Sequence, residues 1–362
     1  MPRTSRSPRT PRPSPAFRRS RRLHPPRRGR FRLLAVLVAA LSLLLTPLAH
    51  AQAEPGQRPV PTRAGKSPTS DRAATVVKTQ HRAGRTVDLT IDSPALGREV
   101  MTRVLTPPGY EEEPDRSWPV LYLLHGCCDG TGGWNDWTDA TDVEGLTADL
   151  GALVVMPEGG PVGYYSDWWN GGNGGAPAWE TFHLTELPGL LASDMRASDV
   201  RAVAGLSMGG TGALSYAGRH PDFFRAAASF SGRLDTQVDP QGVMNRLPQF
   251  GEDPLALWGD PEAQRQVWAD HNPLALVGKL PPGFPVYVSS GNGVPGPLDP
   301  PDAGHDPLEE QFGHMAEAYV AAAREHGLAV TEGLYGAGTH TWPYWERELG
   351  AALPMLREAL GA

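Results

Sequence analysis

The sequence predicts an α/β fold, a mostly parallel sheet with helices on both faces. Three observations carry this expectation. Short runs that are apolar on both faces recur from residue 119 onward, as central strands covered on both sides require. Helical stretches separate them, so strand and helix alternate along the chain. One junction, "RAVAGLSMGGTGALSYAGRHP" (201–221), sets small strand residues directly against a helix, with a serine at the join.

Before the fold begins, the chain reads differently. The first 32 residues hold twelve arginines and no acid, and "LLAVLVAALSLLLTPLA" (33–49) follows without a charge, then Ala49-His50-Ala51. A basic leader, an apolar run and an A-x-A site predict a secretory signal peptide over 1–51. The apolar run has 17 residues and contains Pro47, which argues against a segment that stays in the membrane. The expected product is secreted, extracellular or in the cell envelope, with no stable membrane insertion after signal cleavage. Twelve of the 33 basic residues and none of the 40 acidic ones lie in 1–51, so the remainder carries a net charge of −19. Such a surface repels phosphate backbones, and no nucleic-acid partner is expected.

Residues 52–84, rich in Pro, Arg, Ser, Thr and Gly, read as a flexible linker, and 85–362 as one folded domain. "TVDLTID" (86–92) alternates as a half-buried strand does, and "REVMTRVL" (98–105) is its partner across a turn. The apolar runs are "PVLYLLHG" (119–126), "ALVVMPEGG" (152–160), "RAVAGL" (201–206), "RAAASFSG" (225–232) and "FPVYVSSGNG" (284–293), closed by "AVTEGLYGAG" (329–338). Helices are expected at 180–194, 208–219, 307–327 and 343–359. Residues 233–283 form a helical, Pro-rich insertion before the next strand, placed to cap the C-terminal edge of the sheet.

"GLSMG" (205–209) fits G-x-S-x-G where that motif has a mechanism, between a strand and a helix. A sharp turn there strains the serine backbone, and the flanking glycines remove Cβ atoms that would clash. It lifts the Ser207 hydroxyl to a helix N-terminus, which favours negative charge. With 42 glycines in the chain a chance match is easy, so the strand and helix on either side matter more than the motif. A serine nucleophile needs a base and an acid, in the chain order serine, acid, histidine. His340, in "YGAGTHTWPYW" after the last strand, is the base by position among eleven histidines. The acid lies in "GPLDPPDAGHDPLEEQF" (296–312), where Asp299, Asp302, Asp306, Glu309 and Glu310 are all candidates. The N–H of Met208 and an N–H from the loop "LLHGCC", that of Cys127, are the expected oxyanion donors. The adjacent Cys127 and Cys128 are open to a vicinal disulfide, across a Cα separation of about 3.8 Å, or to two free thiols. No P-loop, H-E-x-x-H or C-x-x-C motif is present, so neither metal nor other cofactor is implied.

"LYLLHG", "GLSMGG", "SSGNGVP" and "GTHTWPYW" together resemble the esterase D-like α/β-hydrolases, from about Thr86 to the C-terminus. That group holds S-formylglutathione hydrolases, feruloyl-type esterases and mycolyltransferases. "YYSDWW…WETF" and "LWGDP…HNPLALV" bring the mycolyltransferases nearest. The resemblance implies an α/β-hydrolase fold and a catalytic domain over 85–362. It implies Ser207 as nucleophile and His340 as base. The acid falls in the Leu308-Glu309 pair, hence on Glu309. Cys127 takes the oxyanion position, and His125 and Trp342 the substrate-binding ones. Where the mycolyltransferases carry an aspartate and an arginine in the oxyanion loop, this chain has His125 and Cys128, and His-Gly is the esterase pattern. The expected activity is a secreted serine esterase acting on a small-molecule, lipid or sugar ester. The alternatives are an acyltransferase moving an acyl group to a sugar or lipid alcohol, and a non-catalytic cell-wall or carbohydrate-binding protein.

Overall fold

The computed structural model describes residues 72–128, 132–169, 171 and 177–362, all within one unit of the chain, Thr62–Ala362. The expected signal peptide and most of the expected linker lie outside the described residues. Among those described, no helix is long and apolar enough to cross a membrane.

Among the described residues nine strands form one sheet: β1 Thr75–His81, β2 Thr86–Ser93, β3 Arg98–Leu105, β4 Trp118–Leu124, β5 Leu153–Pro157, β6 Ala197–Leu206, β7 Ala227–Phe230, β8 Pro285–Gly291 and β9 Ala329–Gly336. Their spatial order is β1-β2-β3-β5-β4-β6-β7-β8-β9. The first three pair antiparallel, β3 joins β5 antiparallel, and every pairing from β5 through β9 is parallel. Every apolar run singled out in the sequence is a strand. One boundary differs: β1 lies inside the stretch expected to be linker. It is an edge strand with most residues exposed, so "TVVKTQH" shows no buried face for a pattern to report.

The helices are α1 Asp136–Ala140, α2 Val143–Leu146, α3 Trp179–Thr181, α4 Leu187–Met195, α5 Met208–Arg219, α6 Pro240–Met244, α7 Arg265–Asp270, α8 Pro273–Leu276, α9 Pro307–Glu325 and α10 Trp342–Leu360. A π-helical turn, Phe182–Glu186, joins α3 to α4. The four long helical stretches fall where the sequence places them. The turns α1 and α2 have five and four residues, too short for periodicity to reveal.

Strand alternation divides the core into two layers. Along β4, Leu121 and Leu123 enter one layer, and Val120, Tyr122 and Leu124 the other. The first layer is closed mainly by α10, whose Trp345, Leu349, Ala352, Leu353, Leu356 and Leu360 lie on one helical stripe. Each buried leucine there contributes about 1.5–3 kcal/mol. Pro354 sits on the exposed side of the same helix. The second layer is closed by α4, α5 and α9. The insertion between β7 and β8 anchors itself there through Leu234, Val243, Leu247, Trp258 and Trp268. It also holds the 164–169 loop: Trp258 Nε1 donates to Ser166 Oγ at 2.9 Å, and the Trp169 N–H to the Leu257 carbonyl at 2.8 Å.

Chain direction positions the site. From β4 the chain steps to β5 on one side, then crosses to β6 on the other. Strand order therefore reverses between β4 and β6, and Leu124 pairs beside Gly205 at their C-terminal ends. A ligand crevice forms where neighbouring strands send their loops apart in this way. The first turn of α5 lies against the end of β4. A Cβ on Gly209 would stand 2.5 Å from the His125 and Leu124 carbonyl oxygens.

Gly209→Ala should therefore cost about 3 kcal/mol or more, since backbone cannot yield as a side chain can. Gly189→Ala, in α4 with nothing within 4 Å of the new Cβ, should instead be neutral or stabilising by up to about 1 kcal/mol. Urea unfolding of both variants checks the contrast. A second expectation concerns buried histidines. Burial pushes His183 down to about 3, and burial followed by the Arg219 charge pushes His271 down to about 4. Unfolded histidine titrates near 6.5. Between those values only the unfolded chain takes up the proton, so stability falls as pH falls through the window, by about 2 kcal/mol per histidine between pH 7 and 5. His183→Gln should remove about that much of the loss in urea titrations at the two pH values; an unchanged loss would refute it.

Candidate active site

Ser207 follows β6 and is the N-cap residue of α5, with φ +51° and ψ −118°, a conformation L residues rarely take. Its N–H donates to the Phe230 carbonyl at 2.8 Å, and its carbonyl accepts the Thr211 N–H at 3.1 Å. The backbone is thus held at both ends, and the hydroxyl stands free of the sheet.

His340 arrives from the loop after β9. Its Nε2 is 2.9 Å from Ser207 Oγ and its Nδ1 is 2.7 Å from Glu309 Oε2. With Nδ1–H donating to the carboxylate, Nε2 is left to accept the serine proton. Phe312 and Trp345 meet the imidazole edge-to-face at 5.2 and 4.8 Å and fix its plane.

Glu309 lies in the first turn of α9 and is fully buried. Its Oε1 accepts from Ser231 Oγ at 2.8 Å, Ser290 Oγ at 2.9 Å, the Gly291 N–H at 2.6 Å and Tyr335 OH at 3.4 Å. Trp345 Nε1 donates to Ser231 Oγ at 3.1 Å, which turns the Ser231 proton toward the carboxylate. Burial, then the Glu309 charge, holds the Tyr335 phenol well above its usual range, so it stays a donor. Donors from the ends of β7 and β8 and from β9 thus converge on one buried carboxylate, which such a site demands.

The other acids have structural work. Asp306 caps α9, its Oδ1 accepting from the Leu308 and Glu309 N–H groups, while its Oδ2 accepts the His340 N–H at 2.9 Å. It thereby fixes His340 and Glu309 to one helix end. Asp299 accepts from Thr339 Oγ1, the Gly296 N–H at 2.7 Å and Tyr344 OH at 2.8 Å, bracing the histidine loop. Asp302 and Glu310 are exposed. Of the five candidates only Glu309 reaches the imidazole.

Cys127 and Cys128 are bridged. Cys128 has φ +77°, and its N–H donates to the Pro161 carbonyl at 2.7 Å. The N–H groups of Cys127 and Met208 make no loop or cap hydrogen bond among the described residues; Cys127 lines the same cleft as Ser207, and Met208 follows Ser207 in the chain. His125 is a correction. The sequence reading gave it to substrate, yet its side chain is buried beneath the loop and does not line the cleft. Its Nε2 accepts the Gly159 N–H at 2.9 Å, its Nδ1 lies 2.6 Å from the Gly126 carbonyl, and its own carbonyl accepts from Tyr165 OH at 2.9 Å. These bonds pin the loop after β4 to the loop after β5. As the last residue of an apolar run, His125 carried no sign of which way its ring would turn.

Ser207, His340, Cys127, Cys128 and Trp342 line a cleft of about 440 Å³, together with Trp345, Leu308, Gly126, Leu206, Asp136 and Arg246. Trp342 stacks edge-to-face between Trp137 and Trp345, at 5.4 and 5.2 Å. Asp136 and Arg246 were not legible: one begins a five-residue helix, and the other is one arginine among many in the insertion. Among the described residues no cluster of His, Cys, Asp or Glu is arranged to hold a metal ion. This arrangement can deprotonate a serine and stabilise an oxyanion beside it.

Residues 93–356 match the Esterase family. Over 289 residues, 75% of this chain and 85% of the relative, the sequence is 33% identical to the diacylglycerol acyltransferase/mycolyltransferase Ag85B of Mycolicibacterium smegmatis. It is likewise 33% identical over 294 residues to Ag85A of Mycobacterium tuberculosis, covering 76% of this chain and 81% of that protein. Among solved structures, MPT51 of Mycobacterium tuberculosis superposes with a TM-score of 0.62 at 28% identity, covering 75% of this chain and 97% of that one. An S-formylglutathione hydrolase from Agrobacterium tumefaciens shares the fold, with a TM-score of 0.61 at 18% identity over 79% of this chain and 99% of its own.

Asp306→Ala should lower stability by about 1 kcal/mol or somewhat more, the usual loss of an N-cap. It should also release the His340 N–H, raising hydrogen exchange at residues 338–341 above that of α10. Exchange equal to the parent's would show that Asp306 does not hold this loop.

Proposed function

This chain belongs to the Esterase family, and from that membership we propose that it is a secreted serine esterase hydrolysing carboxylic esters through an acyl-enzyme on Ser207. The observation that carries the reading is the chain of contacts from Ser207 Oγ through His340 to buried Glu309, at 2.9 and 2.7 Å. Ser207 Oγ attacks the ester carbonyl carbon as its proton passes to His340 Nε2. The carbonyl oxygen becomes an oxyanion, held by the Cys127 and Met208 N–H groups at the positive end of α5. Glu309 stabilises the imidazolium without taking its proton. The C–O bond to the alcohol breaks as His340 protonates the leaving oxygen. Water, deprotonated by His340, then attacks the acyl-enzyme and frees the acid and Ser207. The basic leader with its A-x-A site supports export to the cell exterior or envelope.

A second reading is acyl transfer, in which a sugar or lipid alcohol takes the place of water. The identity to proteins named diacylglycerol acyltransferase/mycolyltransferase favours it. The two readings share every step up to deacylation.

With p-nitrophenyl butyrate as substrate, Ser207→Ala should lower kcat by about 10⁴-fold or more, and Glu309→Gln by about 10³-fold or more. Turnover that survives Ser207→Ala would refute the acyl-enzyme. Butyrate appearing on added glycerol or trehalose, rather than as free acid, would make the enzyme a transferase.

A further inference from the structure

Arg246 lines the cleft that holds Ser207 and His340, and it differs from the other enclosed arginines. Every other described arginine that is not exposed hydrogen-bonds an acceptor: Arg85, Arg103, Arg196, Arg201, Arg219, Arg233 and Arg357 all do. Among the described residues, Arg246 has neither an ion pair nor a side-chain hydrogen bond. The contrast is sharpest beside Arg233. Both guanidinium groups act on the buried Tyr164 phenol, but Arg233 has Asp239 at 2.6 Å and Arg246 has no such partner.

Its position is held by the fold. Arg246 bridges α6 and the turn Leu247–Phe250; its N–H donates to the Val243 carbonyl at 3.1 Å, and its carbonyl accepts the Gln249 N–H at 3.2 Å. Val243 and Leu247, on either side, are both buried in the core. The half-buried side chain therefore leaves a rigid turn and faces the cleft. Elsewhere the protein is strongly acidic, with a net charge of −19 beyond residue 51. An unneutralised cation beside the nucleophile reverses that field locally and draws anions in. The cleft's other charged lining residue, Asp136, lies 3.9 Å from His125 Nδ1 and forms no ion pair with Arg246.

We propose that Arg246 is a specificity-determining residue that binds an anionic group carried by the ester substrate. The proposal rests on the esterase reading above and adds the substrate's charge. A carboxylate or similar anion seated on a guanidinium gains a charge-assisted, bidentate hydrogen bond that water solvates less in a cleft than on a surface.

Two pairs of esters test it on either limb. Mono-p-nitrophenyl glutarate against p-nitrophenyl butyrate places a carboxylate on the acyl side. 4-Acetoxybenzoate against phenyl acetate places it on the alcohol side. Arg246→Gln should lower the ratio of kcat/KM for the charged ester over its neutral counterpart at least tenfold in one pair, with Arg246→Lys restoring part of it. The pair that responds names the limb. Unchanged ratios in both pairs overturn the proposal. Binding separates this result from the esterase reading. In a Ser207→Ala background, quenching of tryptophan fluorescence by the charged esters gives Kd without turnover. A tenfold weaker Kd on adding Arg246→Gln supports the anion site even where the parent hydrolyses nothing, and an equal Kd for both overturns it. Circular dichroism of each variant confirms that the fold is retained.

Discussion

The buried carboxylate of Glu309 is the interaction on which the site depends. A charge with no exposure to water is tolerated only when donors replace the solvent it has lost. Here they come from Ser231 after β7, Ser290 and Gly291 at the end of β8, Tyr335 on β9, and His340 beyond it. Three neighbouring strands must end in the right register for these groups to meet. The same register sets the imidazole beside Ser207. Losing the carboxylate would leave those donors unpaired and would free the histidine at once.

The nucleophile side follows a different constraint, which is steric rather than electrostatic. Ser207 stands at the place where strand order reverses, with β4 on one side and α5 rising immediately behind it. The strained turn leaves no room for Cβ atoms next to it: on Gly205 one would lie 2.3 Å from the Gly209 carbonyl oxygen, and on Gly209 2.5 Å from that of His125. The two constraints meet at the oxyanion loop. His125, Tyr165 and the Pro161 carbonyl hold its backbone in place. In the proposed mechanism its N–H groups then serve a reacting oxygen instead of the fold.

Two separate parts of the chain line the cleft. The sheet and its loops supply the reactive groups, while Arg246 comes from a separately anchored turn. Such an element can change its charge and shape without disturbing the Glu309 network, because it is fixed through its own core residues, Val243 and Leu247. On the proposed reading, chemistry and selectivity are carried by different parts of the chain.

Local patterns were legible in the sequence. Runs apolar on both faces marked the central strands, and the small residues around Ser207 marked its turn, because these signals depend on neighbours within a few positions. The half of the sheet's edge formed by β1 was not legible, since an exposed strand needs no apolar pattern. His340 could be singled out by its place after the last strand. The acid could not be, from residues alone: five carboxylates shared one loop, and only the resemblance to known esterases pointed to Glu309. In the tertiary structure only Glu309 among them reaches the His340 imidazole. The fold turned Asp306 into a helix cap, Asp299 into a brace, His125 into a buried pin and Arg246 into a wall of the cleft. The contacts that assemble Ser207, His340 and Glu309 with their donors join residues 18 to 133 positions apart, and a linear pattern holds no record of which distant groups a fold brings within 3 Å.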